Sequence, residues 1–287
     1  MFETSDLEKL QSIVGCFEKP KFSISGQFKD NIDSLILSDL WPNEVAPSLV
    51  VRNEQQIAVR AKSIAHSYGL HKMHGKKFLD FGCGNGAVVI EACKMGLFAF
   101  GYDHIKQWPD DVVLSQDLAH GVGNFNFSID KDYILSNGPY DIISLYDVID
   151  HIMTHDEAVE AMSFVRKCAT PDAVINVRCH PWTSRHGGHL YETINRAYAH
   201  ILLSEEEYQK HTSVKVRKIT TPMNEYRSVF EKTGFTIDSI IKSTISIEPI
   251  FQTPQFVEKF RQKLDGDSDW QKVVLPITFA DFVLKIR

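Results

Sequence analysis

The stretch Phe78-Leu79-Asp80-Phe81-Gly82-Cys83-Gly84-Asn85-Gly86 constrains this chain more than any other. A short apolar run ends in an acid and is followed by glycines at every second position, which is the pattern of a buried strand stopping abruptly at a ligand. Glycine lets the backbone turn sharply and approach a bound group closely. The next residues, Ala87 to Met95, have the composition of a helix whose first N–H groups face the same ligand. Strand, glycine turn and helix therefore build half of a binding site for a nucleotide-type cofactor.

Two cofactor classes use such a turn. The spacing Gly82-x-Gly84-x-x-Ala87 fits the dinucleotide fingerprint of NAD sites, and Asp103, ending the apolar run Phe98-Ala99-Phe100-Gly101-Tyr102, is spaced to hold ribose hydroxyls. Asp80 sits two residues before the first glycine, where dinucleotide sites usually keep an apolar residue. Leu79-Asp80-Phe81-Gly82-Cys83-Gly84-Asn85-Gly86 instead closely resembles the first motif of class I S-adenosylmethionine (SAM) methyltransferases. The resemblance implies an α/β fold: a seven-stranded, mostly parallel Rossmann-like sheet with helices on both faces. It also implies a cofactor set in which Gly82, Cys83 and Gly84 lie against SAM, Asp80 near its amino-acid portion, Asp103 on the ribose, Asp130 near the adenine, and Asp147 at the end of the fourth strand.

At 287 residues one α/β core with extensions is expected rather than two equal domains. Residues 1–53 look like a helical N-terminal extension, and 54–287 like the methyltransferase domain, with an insertion after strand five at about 179–222. Apolar content of 43% and charged content of 24% are ordinary for a globular protein, and no uncharged apolar run reaches the roughly 18 residues a membrane helix needs. The acidic start, Met1 to Asp6, is unlike a signal peptide, so a cytoplasmic location is expected. Five scattered cysteines without a CxxC pair indicate reduced thiols. The net charge of −6 weighs against broad nucleic-acid binding, although Lys210, His211, Lys215, Arg217 and Lys218 form a local basic run.

Along the chain, the spacing predicts a helix from Asn53 to Tyr68 stopped near Gly69 and another around Asp110 to Leu118. A strand at Asn124 to Asp130 and a buried fourth strand at Tyr140 to Tyr146 follow. A helix at Asp156 to Cys168, a turn at Thr170-Pro171-Asp172 and a fifth strand at Ala173 to Val177 come next. Ser204 is an N-cap ahead of Glu205-Glu206-Glu207, Asn224 to Thr233 reads as a helix, and Gly234 to Ile241 and Ile277 to Ile286 read as strands. The last two resemble the antiparallel pair that closes the class I methyltransferase sheet.

Methyl transfer needs alignment of acceptor, methyl carbon and sulfur, plus a base where the acceptor is protonated. His151, His180, His186 and His189 all follow strands four or five and are the catalytic candidates; His186-Gly187-Gly188-His189 reads as a flexible substrate loop with Trp182 and Tyr191 beside it. A small-molecule acceptor methylated on oxygen or nitrogen suits the acidic charge. RNA or DNA, with metal-assisted ribose methylation as one form, is the alternative, and a non-catalytic SAM-binding module a further one. Asp147, Asp150 and His151 lie at i, i+3 and i+4, so a helix starting directly at strand four would turn them to one face as ligands for Mg²⁺, Mn²⁺ or Zn²⁺. Similar segments bind a divalent ion in some relatives in the resembled family.

Overall fold

The computed structural model describes residues 54–108, 124–185, 187–190, 198–209, 222–244 and 277–287, together with 254, 258 and 262. The predicted helical extension at 1–53, the helix around 110–118 and the basic run at 210–218 lie outside the described residues, as do His186 and Tyr191. Two compact units are present. One holds Arg52–Cys179, Glu225–Ile241 and Ala280–Arg287; the other takes in His180–Asn224 and Lys242–Phe279.

The first unit is a seven-stranded sheet in the order β3-β2-β1-β4-β5-β7-β6. Its strands are β1 (Lys77–Phe81), β2 (Phe98–Tyr102), β3 (Phe125–Ser128), β4 (Tyr140–Tyr146), β5 (Ala169–Cys179), β6 (Phe235–Thr244) and β7 (Ile277–Ile286). β1 to β5 pair in parallel, and β7 runs antiparallel to β5. Strand order reverses between β1 and β4, and a ligand crevice opens at the carboxyl ends beside such a reversal.

α1 (Glu54–Ser67) and α2 (Ala87–Lys94) cover one sheet face, where Ala65, Val89 and Ala92 join Phe78, Ala99, Phe125 and Ile142 in one core cluster. α1 stops where predicted: Gly69 takes φ 71°, a left-handed turn that glycine adopts without steric cost. The opposite face carries α4 (His155–Cys168), whose Phe164 packs against Phe81 and Tyr102, and α7 (Pro222–Lys232), whose Tyr226 and Phe230 meet Phe282 edge-on. α3 (Lys131–Asn137) packs against α4. Thr154 caps α4 in a complete capping box with Glu157, satisfying two backbone donors at the helix start.

β5 departs from expectation by starting at Ala169 and absorbing the predicted turn. Tyr140 pairs with Ala169 but Ile142 with Val174, so Thr170-Pro171-Asp172 form a bulge inside a longer strand. Pro171 cannot donate to a ladder and is exposed there, which is where a strand tolerates proline. In the second unit, α5 (Ala199–Leu202) and α6 (Glu205–Gln209) are short. Ser204 caps α6 as predicted, its Oγ accepting from Glu207 N–H at 3.2 Å while Ser204 N–H donates to Glu207 Oε2 at 2.6 Å. Among the described residues, no helix is long and apolar enough to cross a membrane.

Candidate active site

The glycine turn is held from both sides. Gly82 and Cys83 N–H groups both donate to Tyr102 O, at 2.7 and 3.0 Å, and Gly84 N–H donates to Asp103 Oδ2 at 3.0 Å. Gly82, Gly84 and Gly86 take φ of 80°, 51° and 78°, so the left-handed backbone is required three times in five residues. A β-carbon on Gly82 would fall 2.4 Å from Val148 Cγ2, and one on Gly86 2.5 Å from the Phe127 ring, while at Gly84 nothing lies within 4 Å. Gly82 and Gly86 are therefore needed for packing, and Gly84 leaves open space at the mouth of the turn.

Asp80 is buried at the carboxyl end of β1, and Ser144 Oγ from β4 donates to its Oδ1 at 2.5 Å. Burial pushes its carboxyl up to about 6, the Ser144 hydrogen bond works against that rise, and the nearby Asp103 charge adds to it. Asp103 is also buried. Beyond the Gly84 contact, its Oδ1 lies 2.9 Å from His104 Nδ1 and its Oδ2 accepts from Gln107 Nε2 at 3.3 Å. Asp130, by contrast, is exposed and caps α3 by accepting from Asp132 N–H at 2.9 Å.

A family model for a methyltransferase domain matches residues 54–240, more than half of the chain. The chain belongs to the methyltransferase family. It is a class I SAM-dependent methyltransferase and an enzyme. Solved structures similar to it include magnesium protoporphyrin IX methyltransferase from Synechocystis PCC 6803 with bound S-adenosylhomocysteine (SAH). That protein is 14% identical at TM-score 0.47, with 100% of this chain and 95% of that one covered. A SAM-dependent methyltransferase from Methanosarcina mazei is 14% identical at TM-score 0.47, covering 78% and 97%. A protein from Pyrococcus horikoshii OT3 is 13% identical at TM-score 0.49, covering 85% and 97%. No curated protein matched the sequence.

On the α1 face of this methyltransferase's sheet, the core stops being apolar in the last two tiers before the crevice. Register aligns Asp80 with Ser144 and Ser144 with Asn176; one pleat further it aligns Tyr146 with Arg178 and Arg178 with Asp281. The opposite face stays apolar at the same levels, with Leu79, Ile143, Ile175 and Leu284 in one row and Leu145, Val177 and Phe282 in the next. Arg178 donates through Nε and Nη2 to both Asp281 oxygens, at 2.6 and 2.8 Å, and through Nη1 to Tyr146 Oη at 2.8 Å. The Asp281 carboxylate and the tyrosines beside it hold the guanidinium's pKa above its ordinary value, outweighing burial. From α1 and the turn after it come Arg60, 5.4 Å from the Tyr146 ring centroid, and Tyr68, whose ring meets Tyr146 edge-on at 6.4 Å. No sequence pattern marks Arg60, Tyr68, Ser144, Tyr146 or Asp281 as members of one site, because their convergence depends on register and on where α1 docks.

No helix starts directly at strand four, so Asp147 does not share one helical face with Asp150 and His151. Asp147 takes φ 55°, its N–H donating to Arg178 O at 3.0 Å as the ladder runs one residue past β4, and a single 3-10 turn covers only Ile149–His151. A left-handed residue at the start takes Asp147 out of the i, i+3, i+4 alignment, while Asp150 and His151 keep a carboxylate oxygen and a ring nitrogen within 4.8 Å of each other. Asp147 Oδ2 lies instead 3.7 Å from Arg60. Asp150 is buried and His151 exposed.

His180 and His189 belong to the second unit, where each is half-buried; His180 meets Phe279 edge-on at 6.2 Å, and His189 has φ 50°. The expected flexible Gly187-Gly188 loop is tightly packed. A β-carbon on Gly187 would lie 2.2 Å from Trp182 O, and one on Gly188 2.3 Å from the His200 side chain, so these glycines serve close approach. His200 Nε2 is 2.6 Å from Trp182 O. Trp182 Nε1, Thr183 Oγ1 and Ser184 Oγ are buried there without a hydrogen-bond partner.

The described cysteines, Cys83, Cys93, Cys168 and Cys179, are free and buried. Burial raises all four thiols, Cys168 to about 12, which keeps them protonated and poor nucleophiles at neutral pH.

Proposed function

We propose that this enzyme transfers the SAM methyl group to an oxygen or nitrogen of a small-molecule acceptor, with the cofactor seated on Gly82, Cys83 and Gly84. The observation that carries the assignment is the buried pair of carboxylates, Asp80 and Asp103, flanking three left-handed glycines at the strand-order reversal. SAM presents an ammonium, a sulfonium and a ribose diol. Asp80, near neutral pH largely ionised but inadequately solvated, would gain by pairing with the ammonium. Asp103 already spends an oxygen on Gly84 N–H, so a ribose diol would take over the places of the exposed His104 and Gln107 side chains. Asp130 would contact the adenine only from its cap position, and Asp147 would lie beside the methionyl end.

For an acceptor that must lose a proton, His151, at the mouth of β4, is the candidate base, and His180, His186 and His189 are the other candidates. Calorimetric titration with SAM, SAH and NAD tests the cofactor assignment. SAM and SAH should bind and NAD should not; NAD binding with silence toward SAM would overturn it. The acidic net charge supports a small acceptor over nucleic acid, and RNA binding that weakens steeply with salt would count against it.

A further inference from the structure

The polar corner at the carboxyl ends of β4 and β5 contains a group with no structural job. The Tyr68 hydroxyl is fully buried and has no hydrogen-bond partner. Burial raises its pKa well above the ordinary phenol value, against the lowering effect of Arg178, so it remains a protonated donor throughout the physiological range. Buried hydroxyls that stabilise a fold are hydrogen-bonded, and leaving one unmet is costly unless a ligand completes it. Its surroundings are set by Arg178, Tyr146, Asp281 and Asp80.

Tyr146 lies under two guanidiniums, with Arg178 at 4.8 Å and Arg60 at 5.4 Å from its ring centroid. They differ in how they are held. Arg178 is clamped by both oxygens of Asp281, whereas Arg60 is substantially exposed and meets only one Asp147 oxygen, at 3.7 Å. A partly exposed ion pair at that separation is weak, so another carboxylate can take Asp147's place. Arg60 and Tyr68 thus border the same Tyr146 ring, one with an exchangeable guanidinium fork and the other with an unmet phenol O–H, and both are donors of the kind that recognise a carboxylate.

Resting on the SAM assignment above, we propose that Arg60 and Tyr68 form the acceptor subsite, that the acceptor is a carboxylic acid, and that its carboxylate oxygen is itself methylated. The oxygen lone pair attacks the methyl carbon while the carbon–sulfur bond breaks and its electron pair passes to sulfur. The products are a methyl ester and neutral SAH. No proton moves, so the step needs donors that position an anion and no base; Arg60 and the protonated Tyr68 are such donors, while the Asp281 carboxylate beside them is already held by Arg178. Tyr68 and Arg60 bind and orient the acceptor, and the Asp281–Arg178–Tyr146 chain fixes the ring against which Arg60 lies.

The test uses the full chain with tritiated-methyl SAM and a panel of aryl and alkyl carboxylates, each paired with its amide and its alcohol. Methyl esters release volatile methanol in mild alkali, while methyl ethers and N-methyl groups do not. The expected result is alkali-volatile label from carboxylates alone, reduced by roughly tenfold or more in Tyr68→Phe and in Arg60→Gln, with calorimetric SAH affinity unchanged within about twofold. Tyr68→Phe keeps the ring contact with Tyr146, so it isolates the hydroxyl. Alkali-stable label, no label in any carboxylate, or full activity in both variants would overturn the acceptor inference while SAH still bound. Failure to bind SAH at all would bring down the cofactor assignment and this inference with it.

Discussion

Replacing Asp80 by asparagine is expected to stabilise the ligand-free protein while weakening its hold on the cofactor. Asp80 is 4% exposed, and its carboxyl is pushed from an ordinary value of 3.8 to about 6. The folded state thus binds the proton more tightly than the unfolded state. Stability from this group is fully present below pH 3.8 and is lost as pH rises through 6. At about 1.36 kcal/mol for each pH unit of that interval, the ionised Asp80 costs the ligand-free fold about 3 kcal/mol at pH 7.5. Asparagine removes the charge and keeps an oxygen for Ser144 Oγ to donate to. Urea unfolding of wild type and Asp80→Asn at pH 4 and pH 7.5 measures the effect, because titrations elsewhere cancel in the difference. The variant should be the more stable by up to about 3 kcal/mol at pH 7.5, with the gap closing toward pH 4. Saturating SAH should then stabilise wild type more than the variant. A variant equal to or weaker than wild type at pH 7.5, or a gap that does not change with pH, would refute the reasoning.

The glycine turn should separate packing from binding. Gly82→Ala combines φ 80° with a β-carbon 2.4 Å from Val148 and should cost about 3 kcal/mol in denaturant unfolding, whereas Gly84→Ala, at φ 51° in open space, should cost only about 1 kcal/mol. Calorimetry should nevertheless show Gly84→Ala losing at least roughly tenfold in SAH affinity, since the open space there is where the ligand would approach. Asp281→Asn leaves the Arg178 guanidinium without its bidentate partner; as both side chains retain some exposure, a loss of about 2 kcal/mol in the urea midpoint analysis is expected. Thr154→Ala removes one half of the α4 capping box and should lower stability by about 1 kcal/mol, read from the shift in thermal midpoint.

Local chemistry determined much of this protein before any tertiary contact. The left-handed glycines at 82, 84 and 86, the stop of α1 at Gly69 and the β4 bounds Tyr140–Tyr146 follow from backbone sterics and short-range patterning, which act over a few residues. The first motif was legible for the same reason, since strand, turn and helix are contiguous in sequence. Three things were decided only by the folded chain. A bulge let β5 absorb Thr170-Pro171-Asp172, because pairing with β4 outweighed their turn preference. Asp147 went left-handed where its N–H continues the ladder to Arg178 O, which took it out of line with Asp150 and His151. The corner of Arg60, Tyr68, Tyr146, Arg178 and Asp281 spans 221 positions of sequence from Arg60 to Asp281. Its members meet because parallel register sets which strand residues stand side by side on one face, and no local pattern encodes that alignment.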